Sequence, residues 1–210
     1  MGVIRRGILG GFSNKVGNIV GSTWKGIAIV KSLPLSVANP RTAGQVLQRK
    51  KFKTLTTIAS LLLSGIVKPL WDRFASNMSG YNSFISANMN AFDSSGSINT
   101  EKFVFSRGRM TAPSISSASL SGNQLTVTIG NPANDRFGLP TDRIYVGGLG
   151  LDYGIGAFGI ITSVTRSSSS TAQVVVTVPA AVIQANLLDV YAGYVRSDGS
   201  EVSNSGWSQL

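Results

Sequence analysis

The amino-acid sequence predicts an α+β protein with a β-hairpin plus helices in its first half and an immunoglobulin-like β-sandwich in its second half. Three patterns predict this class: short β-branched runs near the N-terminus, apolar residues at helical spacing between residues 40 and 92, and several short strand-like runs after Pro113. The change of pattern predicts two domains, residues 1–110 and residues 111–210.

The first element is a hairpin or a pair of short strands over residues 15–31. Two apolar runs flank Gly21-Ser22, and they contain Val16, Ile19 and Val20, then Trp24, Ile27, Ile29 and Val30. A hairpin of this size is not stable alone and must pack on another element. The Gly-rich, basic residues 1–14 before it are typical of an arm or loop.

Three helices follow in the prediction. Asn39-Pro40 supplies a capping side chain and a proline suited to a first helical position. The first helix is expected over residues 40–64, the second over 68–77 and the third over 80–92. The apolar stripe of the first contains Val46, Leu47, Phe52, Leu55, Ile58, Ala59, Leu62 and Ile66.

Residues 93–114 read as a linker containing a short strand at Phe103–Phe105. Beyond it, six or seven short strands separated by turn residues predict the sandwich. They include a strand-turn-strand over residues 120–129, then strands near 143–146, 159–165, 172–178 and 189–195. The sequence contains no internal repeat.

The net charge of +10 is concentrated in the first half of the 210-residue chain. Residues 1–110 hold 15 Lys/Arg and 3 Asp/Glu, which gives +12, whereas residues 111–210 hold 4 and 6, which gives −2. A basic half predicts nucleic acid, an acidic protein surface or a membrane surface as partner, or a head-to-tail electrostatic fit between copies of the same chain. Charged residues make up 13%, about half the usual share, which favours surfaces covered by other subunits.

The sequence predicts a protein that is not an enzyme and uses no metal or cofactor. It contains no cysteine and no histidine, which excludes disulfides, Cys/His metal sites and thiol nucleophiles. Residues 154–159 match G-x-G-x-x-G, but a strand-like run follows where a phosphate site needs a helix, so a loop is expected. The most apolar run, residues 58–67, is about half the length of a membrane span, and no membrane partner is expected.

Nine residues are candidates for subunit or phosphate contact. The basic residues of the N-terminal arm could contact a neighbouring subunit, and the tryptophan of the hairpin could pack against one. The cationic face of the first helix could bind phosphates or acidic groups. The candidates are Arg5, Arg6, Lys15, Trp24, Lys25, Arg49, Lys50, Lys51 and Lys53.

One N-terminal motif carries a family resemblance. Residues 7–26 read GILGGFS-x-KVGN-x-VGS-x-WKG, followed by VKSLP at 30–34, NPRTAGQ at 39–45 and QRKKF at 48–52. This stretch resembles an uncharacterised family found in Bacteroidetes genomes and their phages, closely over residues 5–55 and only in layout beyond. The resemblance implies a virion or virion-associated protein, and it brings no catalytic motif.

The expected function is that of a bacteriophage structural protein. It would form a homo-oligomeric ring or collar near the head–tail junction, or decorate capsid or tail, after assembly with other virion proteins in the host cytoplasm. The alternative is a basic DNA-associated protein that binds nucleic acid without sequence specificity. A third class, a carbohydrate-binding surface protein, would use Tyr145, Tyr153 and Trp207.

Overall fold

The chain forms a mixed α+β structure, as the sequence predicts. The computed structural model describes residues 2–3, 13–36, 38–130, 135–150, 162–166, 171–178, 180 and 189–210. It divides the chain into two compact units, residues 1–45 and residues 46–210. The boundary expected between residues 110 and 111 lies inside the second unit.

The first unit is an antiparallel four-stranded sheet. Its strands are β1 (Gly2–Val3), β2 (Asn14–Val16), β3 (Ile19–Trp24) and β4 (Ile27–Ser32), in the order β1-β4-β3-β2.

The turns of this sheet are not where the sequence predicted the break between strands. Gly21-Ser22 lies inside β3, and the chain reverses instead at Gly17-Asn18 and Lys25-Gly26. Lys25 and Gly26 have φ angles of 47° and 78°. Two positive φ angles define the hairpin turn whose twist matches that of its strands, and glycine adopts the second without steric cost.

The second unit begins with helices. They are α1 (Ala43–Leu61, which starts in the first unit), a π-helical turn (Leu63–Val67), α2 (Lys68–Trp71), α3 (Gly80–Asn88) and a 3-10 turn (Met89–Ala91). Thr42 Oγ1 accepts a hydrogen bond from Gln45 N at 3.4 Å, so α1 begins after Thr42 and not at Pro40. The second helix ends at Trp71, well before the expected residue 77.

No single helix in the described part of the chain is long and apolar enough to cross a membrane. Helix α1 and the segment Leu63–Trp71 reach that length and apolar content only when taken together, and the angle between them is 72°.

Two antiparallel sheets complete the second unit. The three-stranded sheet has the order β5-β6-β9 and the four-stranded sheet has the order β11-β10-β7-β8. The strands are β5 (Ser114–Ser121), β6 (Gln124–Gly130), β7 (Arg143–Leu149), β8 (Thr162–Thr165), β9 (Thr171–Thr177), β10 (Asp189–Val195) and β11 (Gly206–Gln209). The strands expected after Pro113 are therefore present within the described residues, with the ends of β10 as predicted and those of the others shifted.

Strand β10 lies between two hydrophobic cores, and every one of its residues is buried. Its side chains alternate between the two cores. Val190, Ala192 and Tyr194 face the core between the sheets. Tyr191 and Val195 face the opposite core, which the helices complete. Within this unit the four-stranded sheet thus lies between the helices and the three-stranded sheet.

The predicted strand at Phe103–Phe105 is wrong. This segment lies against the four-stranded sheet, and side chains rather than a neighbouring strand bind its backbone. Asn88 bonds both the N–H and the C=O of Val104, at 2.7 and 3.0 Å. A side chain at Gly147 would lie 3.0 Å from the Phe105 ring, so glycine at this position lets the ring approach the sheet.

Candidate interaction surface

The sheet of the first unit buries little of its surface within the described residues. Among its described residues only Gly21 is buried. Large apolar side chains are exposed instead: Val16 is 62% exposed and Trp24 is 49% exposed. A small sheet gains stability by burying an apolar face, and in this unit no element covers one within the described residues.

Both faces of this sheet carry apolar side chains. Strand register places cross-strand partners on the same face, because successive side chains alternate. One face presents Val20, Trp24, Ile27 and Ile29 together with Lys15 and Lys31. The other presents Val16, Ile19 and Val30. Two apolar faces suit a sheet that is covered on both sides in an assembly.

A second exposed surface runs along α1. It consists of Gln48, Arg49, Phe52, Lys53 and Thr56, and we call it the α1 strip. These five residues line an open groove of about 440 Å³. Phe52 is 51% exposed, although it was expected in the apolar stripe of this helix. The core-facing arc of α1 is centred on Leu55, Ile58 and Ala59, and Phe52 lies at its edge.

The predicted contact residues fall into separate groups. Arg5 and Arg6 lie outside the described residues. Lys15, Trp24 and Lys25 are exposed on the sheet of the first unit, whereas Arg49, Lys50 and Lys53 are exposed on α1.

Lys51 holds α1 against the loop that follows the 3-10 turn. Its Nζ donates to the Asp93 backbone oxygen at 2.6 Å and lies 5.7 Å from the centre of the Phe92 ring. The Ser95 hydroxyl and the Ser97 N–H donate to the Asp93 carboxylate and lower its pKa. Lys51 therefore has a structural role that sequence spacing did not reveal.

The basic character of the N-terminal region is stronger than the half-chain balance indicates. Residues 1–71 contain eleven Lys/Arg and no Asp/Glu, which gives +11, and Asp72 is the first acid in the chain. The exposed acids of the described residues number four: Asp72, Asp93, Glu101 and Asp198. The described residues of a second copy of this chain thus offer few exposed carboxylates to the basic N-terminal region.

A buried ionic cluster, which sequence analysis missed, lies in the second unit. Arg166 Nη1 is 3.1 Å from Asp135 Oδ2 and 3.8 Å from Asp142 Oδ2. The Arg166 guanidinium also lies 4.5 Å from the ring centre of Tyr194. Its members are 7 to 59 residues apart in sequence, so no local motif marks the cluster.

Burial, the largest cause, raises the pKa of Tyr194 to about 12; the Arg166 guanidinium opposes the rise, and the carboxylates of Asp135 and Asp142 add to it. The folded state therefore favours the protonated phenol more than the unfolded state does, where the pKa is about 10. This contribution to stability is complete below pH ~10 and is lost as pH rises toward about 12.

We expect the stability of the wild type relative to Tyr194→Phe to fall over that pH range. Urea unfolding of both proteins at stepped pH measures the difference, and lysine titration cancels because both chains share it. Parallel stability curves for the two proteins would contradict the assignment.

The residues proposed for sugar binding do not form an open site within the described part of the chain. The described residues also contain no group of three or more Asp/Glu that could hold a metal ion. Tyr145 and Trp207 pack against the core beside the helices, and Trp207 Nε1 donates to Asp189 at 3.0 Å, so neither ring forms an open sugar platform. Tyr153 and the glycine motif at 154–159 lie outside the described residues.

Comparison with known proteins places the chain in a family. The model of a family of unknown function, DUF6266, matches residues 11–208. The chain belongs to DUF6266. The match spans both units, so the sheet of the first unit and the layered second unit are both parts of the DUF6266 region. No curated protein and no solved structure matches the chain.

Proposed function

We propose that this DUF6266 protein is a structural subunit of a bacteriophage particle that acts through protein–protein assembly and not through catalysis. It forms a homo-oligomeric ring or collar, or another head–tail or tail-associated component, together with other virion proteins. The observation that carries the proposal is the sheet of the first unit, which among its described residues buries only Gly21 and carries apolar side chains on both faces. The motif over residues 7–26, which resembles a phage-associated family, supports the virion setting.

Assembly explains the sheet better than an isolated protein does. Exposed apolar patches of this kind on a folded protein mark interaction surfaces. Repeated head-to-tail contacts between identical copies close into rings when the rotation permits. The two-sheet part of the second unit, which we propose to be an immunoglobulin-like sandwich, then serves as the docking domain of each copy.

The test is the absolute mass of the full chain by light scattering at about 0.01 M and about 1 M salt, between which the Debye length falls from about 30 Å to about 3 Å. We expect a discrete multiple of 22.0 kDa at both salt concentrations, since apolar contacts survive screening. Trp24→Ser should shift the mass toward the monomer. Val175→Ser is the matched control, because Val175 is 50% exposed on β9 and Trp24 is 49% exposed.

The second candidate is a DNA-associated protein that binds without sequence specificity. The absence of acids from residues 1–71 favours it. A chain that is monomeric at both salt concentrations, gains mass only with added DNA and loses it again in salt would overturn the assembly proposal and support this candidate.

A further inference from the structure

We propose that the α1 strip binds single-stranded nucleic acid, with Phe52 stacking on a base while Arg49 and Lys53 contact phosphates. This site lies in the second unit and is independent of assembly through the sheet of the first unit.

The arrangement of the strip fits this ligand. Arg49 and Lys53 are one helical turn apart, about 6 Å along the axis, so the two cations follow one side of the groove. Phe52 lies between them in sequence and is 51% exposed. Proteins that hold single strands combine a cationic groove with aromatic side chains on which bases stack.

Charge selects an anion as the occupant. Helix α1 carries four Lys/Arg and no Asp/Glu, and the whole stretch before Asp72 also lacks acids. Lys51 donates to Asp93 and lies over the Phe92 ring, and the open groove is lined by Lys53 together with Arg49. A purely apolar partner would remove the exposed Lys53 ammonium from water without compensation.

The aromatic ring favours nucleic acid over an acidic protein segment. A phosphate backbone satisfies the cations, and its bases supply flat faces for Phe52. The strip lacks the groove-reading helix pattern of sequence-specific proteins, so we expect sequence-tolerant binding.

The test uses fluorescence anisotropy of the full chain with a labelled thymidine oligonucleotide of about 20 nucleotides, longer than the roughly 4–16 that one such site covers. Phe52→Leu keeps an apolar side chain but removes the π face, and we expect about tenfold weaker binding to the single strand. Binding of the same variant to a duplex of equal length should not change, because its bases are already stacked.

Lys53→Gln should weaken binding to both forms and lower the slope of log affinity against log salt by about 0.7 for the single strand. Lys102→Gln is the matched control, since Lys102 is an exposed lysine in the loop before Phe103, outside the strip. These exposed substitutions leave the core intact, which thermal unfolding of each variant verifies.

Three results would overturn the proposal. One is the absence of binding at about 0.01 M salt, where electrostatic attraction is strongest. Another is an equal loss of affinity for Lys53→Gln and Lys102→Gln, which would mean general charge attraction only. The third is displacement of the oligonucleotide by polyglutamate at equal charge, with binding unaffected by Phe52→Leu, which would identify an acidic protein segment as the occupant. None of these results alters the mass measured for assembly.

Discussion

Replacing Arg166 by methionine is expected to lower the free energy of unfolding by about 3–5 kcal/mol, the cost of removing one partner from a buried ion pair. Asp135 and Asp142, the partners of Arg166, have side chains that are 3% and 0% exposed. Without the guanidinium, both carboxylates remain buried, and the N–H groups of Phe137 and Leu139, which donate to them, do not replace the lost positive charge. The packing of Arg166 on the Tyr194 ring is lost as well.

Two further variants separate charge burial from loss of packing. Arg143→Met is the control, because Arg143 is an exposed arginine on β7, beside Thr165 in the strand register, and its loss should stay within about 0.5 kcal/mol. Adding Asp135→Asn and Asp142→Asn to Arg166→Met should restore much of the stability, because no unpaired charge then remains buried. Urea unfolding measures all four proteins. Equal losses for Arg166→Met and Arg143→Met would contradict a structural role for the cluster.

Asn88→Ala is expected to lower the free energy of unfolding by about 3 kcal/mol, because it leaves two backbone groups in the interior without their hydrogen-bond partner. Asn88 is fully buried, accepts from the N–H of Val104 at 2.7 Å and donates to the C=O of Val104 at 3.0 Å. No strand among the described residues pairs with this segment, so the Asn88 side chain supplies the bonds that a neighbouring strand would supply in a sheet.

The control for Asn88 is Asn90→Ala, at an exposed position two residues later, which should change stability by less than about 0.5 kcal/mol. Hydrogen exchange gives a second reading, since the Val104 amide should lose protection in Asn88→Ala but not in Asn90→Ala. A protected Val104 amide in Asn88→Ala would show that another group replaces the side chain.

The helices and strands were largely predictable because their signals are local. The apolar spacing of Leu55, Ile58 and Ala59 indicates a helix, and α1 buries those residues. The strand at 189–195 was predicted with its observed ends. Helix starts and turns were less predictable: Thr42 begins α1 in place of Asn39-Pro40, and Lys25-Gly26 makes the turn in place of Gly21-Ser22.

The candidate surfaces were only partly predictable. The sequence identified the cationic face of α1 and the aromatic residue of the hairpin. It did not distinguish Lys51, which binds Asp93, from Lys53, which lines the groove, because that difference depends on a loop about forty residues away. The sequence also placed Phe52 in the core, whereas its side chain is 51% exposed. Periodicity shows which residues share the apolar face of a helix, but the elements packed against that face decide how many of those residues are buried.

By itself, the sequence determined the α+β class, the approximate helices and strands and the concentration of positive charge near the N-terminus, since each depends on composition or on residues a few positions apart. Tertiary structure alone decided that the helices share a core with β10, that Arg166 meets Asp135 and Asp142, and that Val16 and Trp24 of the first unit are exposed. These outcomes depend on contacts between residues far apart in the chain, for which local propensity and spacing carry no signal.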